Sequence, residues 1–177
     1  MAILKVARLG HPVLRKSTAP VSPQEIESAS FQKLIDDMIE TMKEYDGVGL
    51  AADQVHESKQ VAVVEVAENP RYPDKPKIPL TVLINPKILP LTEEMEEDWE
   101  GCLSIPELRG RVPRHKTIRV QGWSRDGKPL EFIAADFHAR VIQHECDHLN
   151  GKVYLDRMND FSTLTFLTEF ARYWMQR

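Results

Sequence analysis

The pentapeptide His144-Glu145-Cys146-Asp147-His148 contains the residue types of a metal-dependent hydrolase. On a helix, residues four apart lie about one turn apart on the same face, so His144 and His148 can direct two imidazole nitrogens at one ion. Glu145 lies on the flank of that face, where its carboxylate can accept a proton from metal-bound water without being a ligand. The pattern therefore predicts a metal centre on a helix, with Glu145 as the proton acceptor.

A catalytic metal site of this type normally has three protein ligands and keeps one position open for water. Two residues are candidates for the third ligand. Glu169, on the last predicted helix, would complete a thermolysin-like zinc site. Cys102 follows Gly101 and precedes Pro106, so it should lie at a turn or strand end with an accessible sulfur, which a metal would keep deprotonated. The residues alone leave both candidates open.

The segment from Gly47 to Gln54 combines two glycines with a polar side chain. Glycines allow another group to approach the backbone closely, but no lysine follows to contact phosphate, which argues against a nucleotide site. The Gln54 amide could donate a hydrogen bond to a developing oxyanion in a confined site. An ordinary turn glutamine fits the residues equally well.

The second cysteine, Cys146, lies two residues after His144, so on a helix it points away from the ligand face and fits a small buried hydrophobic residue. We expect Cys102 and Cys146 to be reduced. Intracellular chains rarely form disulfides, and the nearby histidine pair makes another use of a cysteine the better interpretation.

Composition limits the class of protein and its partners. The 177 residues carry a formal net charge of −4 and 42% hydrophobic residues, which suits one domain over residues 1–177. No basic field is available to hold nucleic acid through its phosphates. No stretch approaches the ~20 apolar residues that a membrane helix needs, and the start of the chain lacks the apolar core of a secretory signal. We therefore expect a cytoplasmic bacterial protein, or an organellar one whose transit peptide has been removed.

The apolar spacing predicts three helices that position these residues. Ser22-Pro23-Gln24-Glu25 has the features of a helix start, and Gly47 stops that helix. Its core-facing residues would be Phe31, Leu34, Ile35, Met38, Met42 and Tyr45. The helix of the metal motif should run from Asp136 to Leu149, ended by Asn150-Gly151, and a C-terminal helix from Asp160 to Met175 should pack on the core.

Runs of branched residues predict four strands, at Val61 to Val66, Thr81 to Ile84, Lys116 to Trp123 and Leu130 to Ala134. A turn at Arg125-Asp126-Gly127-Lys128 should join the last two. The proline-rich residues 68–80 are expected to form a surface loop, because proline cannot pair in a central strand. The acidic run from Glu93 to Glu100 is interpreted as a solvated loop. The expected fold is α+β, with mixed, mainly antiparallel sheets packed around a central metal-binding helix.

Three segments, in this order, closely resemble the peptide deformylase family. The family pattern of glycine, apolar, glycine, Leu-Ala-Ala, any residue, Gln is met from Gly47 to Gln54. The Glu-Gly-Cys-Leu-Ser segment is met from Glu100 to Ser104, and the Gln-His-Glu-x-x-Asp-His-Leu segment from Gln143 to Leu149. Asp53 departs from the commonest pattern, in which proline or threonine stands there, and adds a charge near the glutamine.

The resemblance implies a metal-dependent enzyme with ligands at the matching positions. These ligands would be Cys102, His144 and His148. The resemblance thus favours Cys102 over Glu169 as the third ligand. Because the family uses Fe(II) naturally and accepts Ni, Co or Zn, we expect iron natively and the other metals as substitutes.

The implied reaction removes the formyl group from the amino-terminal methionine of nascent proteins and releases formate. Metal-bound water would attack the formyl carbon with Glu145 as general acid/base, while Gln54 and the Leu103 backbone N–H stabilise the oxyanion. A pairing of Asp147 with Arg114 would support the helix from outside the ligand set.

The expected substrate-binding residues are Val48, Gly49, Glu100, Gly101, Arg109 and Val141. Val48, Val141 and the ring edge of His144 would line a pocket for the methionine side chain, and the peptide beyond it would add as a strand along Gly47 to Leu50. Arg109 would meet the peptide backbone or its carboxylate, although a solvated arginine fits as well. The partners would be formyl-methionyl nascent peptides and the ribosome near its exit tunnel.

Overall fold

The computed structural model describes residues 2–67 and 76–175. The helices are α1 (Pro23–Ile26), α2 (Ala29–Glu44), α3 (Asp136–Leu149) and α4 (Leu167–Tyr173). The strands are β1 (Gly49–Ala51), β2 (Val61–Val66), β3 (Ile78–Pro90), β4 (Met95–Cys102), β5 (Ile105–His115), β6 (Thr117–Trp123), β7 (Pro129–Ala135) and β8 (Thr165–Phe166). Within these residues, no helix has both the length and the apolar character needed to cross a bilayer.

The strands form two antiparallel sheets. The larger sheet has the order β1-β2-β3-β6-β7, and the smaller one has the order β4-β5-β8. Neighbouring strands in both sheets run antiparallel. The expected α+β class with mainly antiparallel sheets is confirmed. The four predicted strands correspond to β2, β3, β6 and β7, and the predicted turn at 125–128 joins the last two.

Strand β2 is buried on both faces, which explains its unbroken run of apolar residues. Val61 and Val63 belong to the core that the strands share with α2, whereas Val64 and Val66 belong to the core shared with α3. Because side chains alternate along a strand, one run of valines serves both layers. The larger sheet therefore lies between α2 on one face and α3 on the other.

The N-terminal helical segment consists of two helices, so the expectation of one helix from Ser22 to Gly47 is wrong. The Ser22 side chain caps α1, and the Ser28 side chain accepts a hydrogen bond from the N–H of Phe31 to cap α2. Each serine accepts a hydrogen bond from a backbone N–H in the first turn of its helix. In one continuous helix, the N–H groups at the start of α2 would instead be bonded within the helix. Of the expected apolar face, Phe31, Ile35, Met38 and Met42 are buried and Leu34 is partly buried, whereas Tyr45 is exposed beyond the helix end.

Residues 68–75 of the expected proline-rich loop lie outside the described residues. Pro79, however, lies within β3, so the loop does not extend to residue 80. In its first half β3 pairs only with β2, and it pairs with β6 from Ile84 onward. Among the described residues, one edge of β3 at the level of Pro79 therefore has no partner strand, and proline is tolerated at such an edge.

The acidic run does not form a solvated loop, because most of it lies in β4. This strand pairs with β5, whose arginines reach acidic side chains of β4: Arg111 forms an ion pair with Glu97 at 3.6 Å, and Arg114 contacts Glu100 at 2.9 Å. Opposite charges on neighbouring strands stabilise the pairing. The alternation also turns Glu100 inward, where it is buried.

The C-terminal helix is shorter than expected. Phe161–Thr163 form a 3-10 turn and Thr165–Phe166 pair with β5, so helix α4 begins only at Leu167. None of its residues is buried, so the expected packing in the core is wrong. Its Phe170 instead packs edge-on against Trp99 of β4, with ring centroids 4.9 Å apart.

Helix α3 has the predicted bounds. The chain leaves it through Gly151, whose backbone has a left-handed conformation that favours glycine. Gly151 has φ +70°, and its N–H donates to the carbonyl oxygen of His148 at 2.9 Å. A Cβ at this position would lie 2.8 Å from the carbonyl carbon of Arg15. The end of the helix that carries His148 is thereby held against the N-terminal segment.

We expect Gly151→Ala to lower the free energy of unfolding by roughly 2–4 kcal/mol, the sum of a left-handed backbone penalty and overpacking against a backbone. Gly127→Ala is the matched control, because Gly127 has φ +68° but its Cβ would meet only Ile26, at 3.7 Å. The control should lose only the backbone part, about 1–2 kcal/mol. Urea unfolding measures both, and equal losses would contradict the proposed contact with Arg15.

Candidate metal centre

Three potential metal ligands from two elements meet in the interior. Cys102 is the last residue of β4, and His144 and His148 lie one turn apart on α3. One donor atom from each lies within 4.8 Å of the other two, and the Cys102 Sγ is 3.2 Å from the His148 Nε2. All three residues are buried. A thiolate and two imidazoles at these distances form a donor set that suits a transition-metal dication.

The electrostatics of this cluster favour a negative charge on the sulfur and a positive charge beside it. Burial opposes ionisation of the Cys102 thiol, but the positive charges and hydrogen bonds of His148 and His144 outweigh burial and hold its pKa well below the usual value. Burial likewise opposes the charged form of His148, yet the Cys102 thiolate and Asp53 raise its pKa to about 10. Without a metal, the thiolate is thus compensated by protons on the two imidazoles. A dication bound by the same three atoms would replace those protons.

Glu100 fixes the orientation of His144. Its Oε2 lies 2.9 Å from the His144 Nδ1, and its carboxylate accepts two hydrogen bonds from Arg114 and one from Arg140. Burial opposes ionisation of Glu100, but the Arg114 charge and the His144 hydrogen bond hold its pKa well below the usual range. Because the His144 Nδ1 is engaged by the carboxylate, its Nε2 is the nitrogen left to bind a metal. Glu100 lines the cleft, but these contacts occupy both carboxylate oxygens, which argues against the expected role in binding substrate.

Buried arginines join the metal helix to the smaller sheet. Arg114 of β5 contacts Asp147 of α3 at 2.5 Å, as predicted, and Arg157 also donates to Asp147. Arg140 of α3 donates to the carbonyl oxygen of Val112 at 2.7 Å. The sequence motifs did not indicate this role for Arg140. Its position one turn before His144 was the only available signal.

Glu145 lies against a bare stretch of backbone. A Cβ on Gly49 would lie 2.3 Å from the Glu145 Oε1, so only glycine allows the carboxylate to approach β1 this closely. Within the described part of the chain, the Glu145 Oε2 has no hydrogen-bond partner. Burial, opposed by the charges of His144 and His148, raises the Glu145 pKa to about 7. This carboxyl can therefore accept and release a proton near neutral pH.

Gln54 has its amide oriented by two neighbours. Its Oε1 accepts from the N–H of Ala51 at 2.9 Å, and its Nε2 donates to the Ser104 Oγ at 3.1 Å. The same Nε2 lies 3.5 Å from the Cys102 Sγ. The donor end of the amide therefore points into the cluster, as the oxyanion interpretation requires.

A cleft with an empty volume of about 460 Å³, including space open to solvent, borders the cluster. Seven residues expected to contact substrate or the oxyanion line it: Val48, Gly49, Gln54, Glu100, Gly101, Leu103 and Val141. Trp99 and Phe137 also line it and were not anticipated. Trp99 lies in the acidic run that was interpreted as a loop. Because the run was not recognised as a strand, the side of the strand that Trp99 faces could not be predicted.

Arg109 does not line this cleft, and the alternative of a solvated arginine is also wrong. Its side chain is buried, and its guanidinium carbon lies 5.2 Å from the ring centroid of Phe170. Glu169 lies apart from the donor cluster: its side chain is 44% exposed and faces Arg172 at 3.8 Å. The thermolysin-like alternative is therefore not supported.

The two cysteines are free and differ in environment, as expected. Cys146 packs in the core between α3 and the larger sheet, where burial raises its pKa to about 12. It is a small buried apolar residue, whereas the pKa of Cys102 is held well below its usual value by His148 and His144.

Comparisons with known proteins agree on one family. Residues 3–163 match the family model described as polypeptide deformylase. The chain is 47% identical to peptide deformylase 1 of Bordetella pertussis, with 89% of this chain and 88% of that protein covered. It is 48% identical to peptide deformylase 1 of Nitrosomonas europaea, with 89% of each chain covered.

Solved structures lead to the same family. A class I type b peptide deformylase from Acinetobacter baumannii, bound to Met-Ala-Ser, has a TM-score of 0.86 and 43% identity, covering 89% of this chain and 99% of that one. The peptide deformylase from Thermotoga maritima has a TM-score of 0.80 and 38% identity, covering 90% of this chain and all of that one.

We expect Arg114→Met to destabilise the protein by roughly 3–5 kcal/mol, because it leaves the carboxylates of Glu100 and Asp147 buried with fewer cationic partners. Arg119→Met is the matched control, since Arg119 forms an exposed pair with Glu131 at 3.8 Å. The control should change stability by about 0–1 kcal/mol. Denaturant unfolding of the two variants tests this, and similar small losses would show that the buried network does not stabilise the fold.

Proposed function

Because the chain belongs to the peptide deformylase family, we propose that it hydrolyses the formyl amide of formyl-methionyl nascent peptides and releases formate. Membership makes the chain a metal-dependent hydrolase. The observation that carries the proposal is the cluster of Cys102, His144 and His148 beside the Glu145 carboxylate, at the edge of a cleft.

The metal is proposed to be Fe(II), with zinc, nickel or cobalt as substitutes. One thiolate and two imidazoles do not select strongly among these ions, which accords with exchange between them. When bound, such a cation would supply Lewis acidity, lowering the pKa of water and polarising the formyl oxygen.

Glu145 moves the proton in the proposed reaction. Its carboxylate takes a proton from the attacking water and delivers it to the amine nitrogen as the C–N bond breaks. A pKa near 7 suits both transfers, because each form of the carboxyl is accessible at neutral pH. Contact with Gly49 holds the carboxylate in one place between the two transfers.

Gln54 and the Leu103 backbone N–H are proposed to stabilise the oxyanion that forms as water adds to the formyl carbon. The Gln54 amide is oriented by Ala51 and Ser104, and the N–H that donates to the Cys102 Sγ is the one that faces the cluster and would turn to the oxyanion. Losing one such donor typically raises the barrier by ~3 kcal/mol.

The substrate is proposed to bind through its backbone and its first side chain. Val48 and Val141 supply apolar surface for the methionine, and β1 pairs with β2 on one edge, which leaves its other edge for an added peptide strand. The Acinetobacter baumannii relative was solved with a peptide that begins with methionine. A ribosome contact and a cytoplasmic location both stay predictions.

Glu145→Gln should retain metal but lower kcat/KM for formyl-Met-Ala-Ser by about 10²–10⁴-fold, because the amide cannot accept the proton. Formate release and metal analysis of the same sample measure the two properties. The control is Glu169→Gln, which should behave as wild type. A fully active Glu145→Gln variant would refute the assigned role.

Cys102→Ser should lose bound metal, activity or both, because a neutral hydroxyl is a much weaker donor than a thiolate. Cys146→Ser is the matched control on the same type of residue, and it should keep both properties. Metal content after anaerobic loading with Fe(II) and the formate assay give the answer. Unchanged metal and activity in Cys102→Ser would eliminate the proposed ligand set.

A further inference from the structure

The two histidines of the cluster each face a carboxylate on the side away from the thiolate. For His144 this group is Glu100, described above. For His148 it is Asp53, whose Oδ2 lies 3.6 Å from the His148 Nδ1. The side chains of His148 and Asp53 are 0% and 1% exposed. Among the described residues, none of these three atoms has a hydrogen-bond partner: the Asp53 Oδ1, the Asp53 Oδ2 and the His148 Nδ1.

The two carboxylates, Glu100 and Asp53, differ in the cationic groups that surround them. Glu100 is neutralised by Arg114 and Arg140, both buried with it. Asp53 has no lysine or arginine partner within residues 2–67 and 76–175, and it faces the His148 ring. A buried carboxylate without a cation or a donor is costly. The compensation for Asp53 must therefore come through His148.

We propose that Asp53 is a positioning residue for the metal centre, accepting the Nδ1–H of His148 and so directing its Nε2 at the cation. The inference rests on the proposed metal site. The 3.6 Å separation is longer than a hydrogen bond, so the proposal requires the two groups to approach by about 0.5 Å. Hydrogen bonding to a carboxylate also makes an imidazole a stronger donor.

The test compares Asp53→Asn and Asp53→Ala with the wild type, using Co(II) as the metal probe. Asn keeps an oxygen that can accept the Nδ1–H but lacks the charge, and Ala removes both. Losing such a partner typically weakens metal binding about 10–100-fold, so we expect Ala to reach this range and Asn to fall between Ala and wild type. Competition with a chelator measures the dissociation constant, and the Co(II)–thiolate absorption band reports the ligand geometry.

Asp37→Asn is the matched control, because Asp37 is also buried but lies on α2, where it accepts from the N–H of Ala2 and pairs with Lys33. Its Co(II) affinity and absorption band should equal those of wild type. Equal affinity and unchanged bands in both Asp53 variants would overturn the proposal. So would an equal loss of affinity in Asp37→Asn, since the effect would then be a general one of buried carboxylates.

A second measurement does not depend on the variants folding. In the Zn(II)-loaded wild type, NMR should find the His148 Nδ1 proton downfield and slow to exchange, coupled through the hydrogen bond to Asp53. A rapidly exchanging Nδ1 proton would overturn the proposal. Formate release keeps the two proposals apart: metal binding without formate release contradicts the deformylase activity alone, whereas a wild type that binds no metal contradicts both.

Discussion

The structure depends on holding a thiolate at the end of one strand against two imidazoles on a helix. Cys102 belongs to β4 of the smaller sheet, whereas His144 and His148 belong to α3, which packs on the larger one. Neither layer can form the cluster alone. The relative position of sheet and helix must therefore be set to within a fraction of an ångström, and this is the purpose that the surrounding buried charges serve.

The buried charges form a network of ion pairs in which each side chain has more than one partner. Arg114 contacts carboxylates from both layers, Glu100 and Asp147, while Arg140 of α3 contacts Glu100 and backbone oxygens of β4 and β5. Such a network is an inefficient source of stability compared with apolar packing, because each ion loses its water. Its directional bonds instead define one register between helix and sheet. Apolar contacts would leave that register less sharply specified.

Sequence reasoning recovered the parts of the fold that local pattern determines. The bounds of α3, the strand β2 and the histidine pair follow from spacing and side-chain type within a few residues. The choice of Cys102 over Glu169 as the third donor came from the family resemblance, because both candidates lie far from the pair in the sequence. The strand β4 could not be recognised from its acidic composition, since its partners on β5, including Arg111 and Arg114, come together with it only after the strands pair. The place of Arg109 beneath Phe170 likewise depends on how α4 docks, which no local pattern specifies.

The larger sheet packs against a different helix on each of its two faces. Odd-numbered valines of β2 meet α2, and its even-numbered valines meet α3, the helix with the two histidines. A change of side-chain volume at Val63 therefore acts first on the α2 layer, whereas one at Val64 acts first on the layer of the histidine helix. Both layers border the cleft, through Leu103 on one side and Val141 on the other, so neighbouring positions of one strand reach the same cleft through different cores.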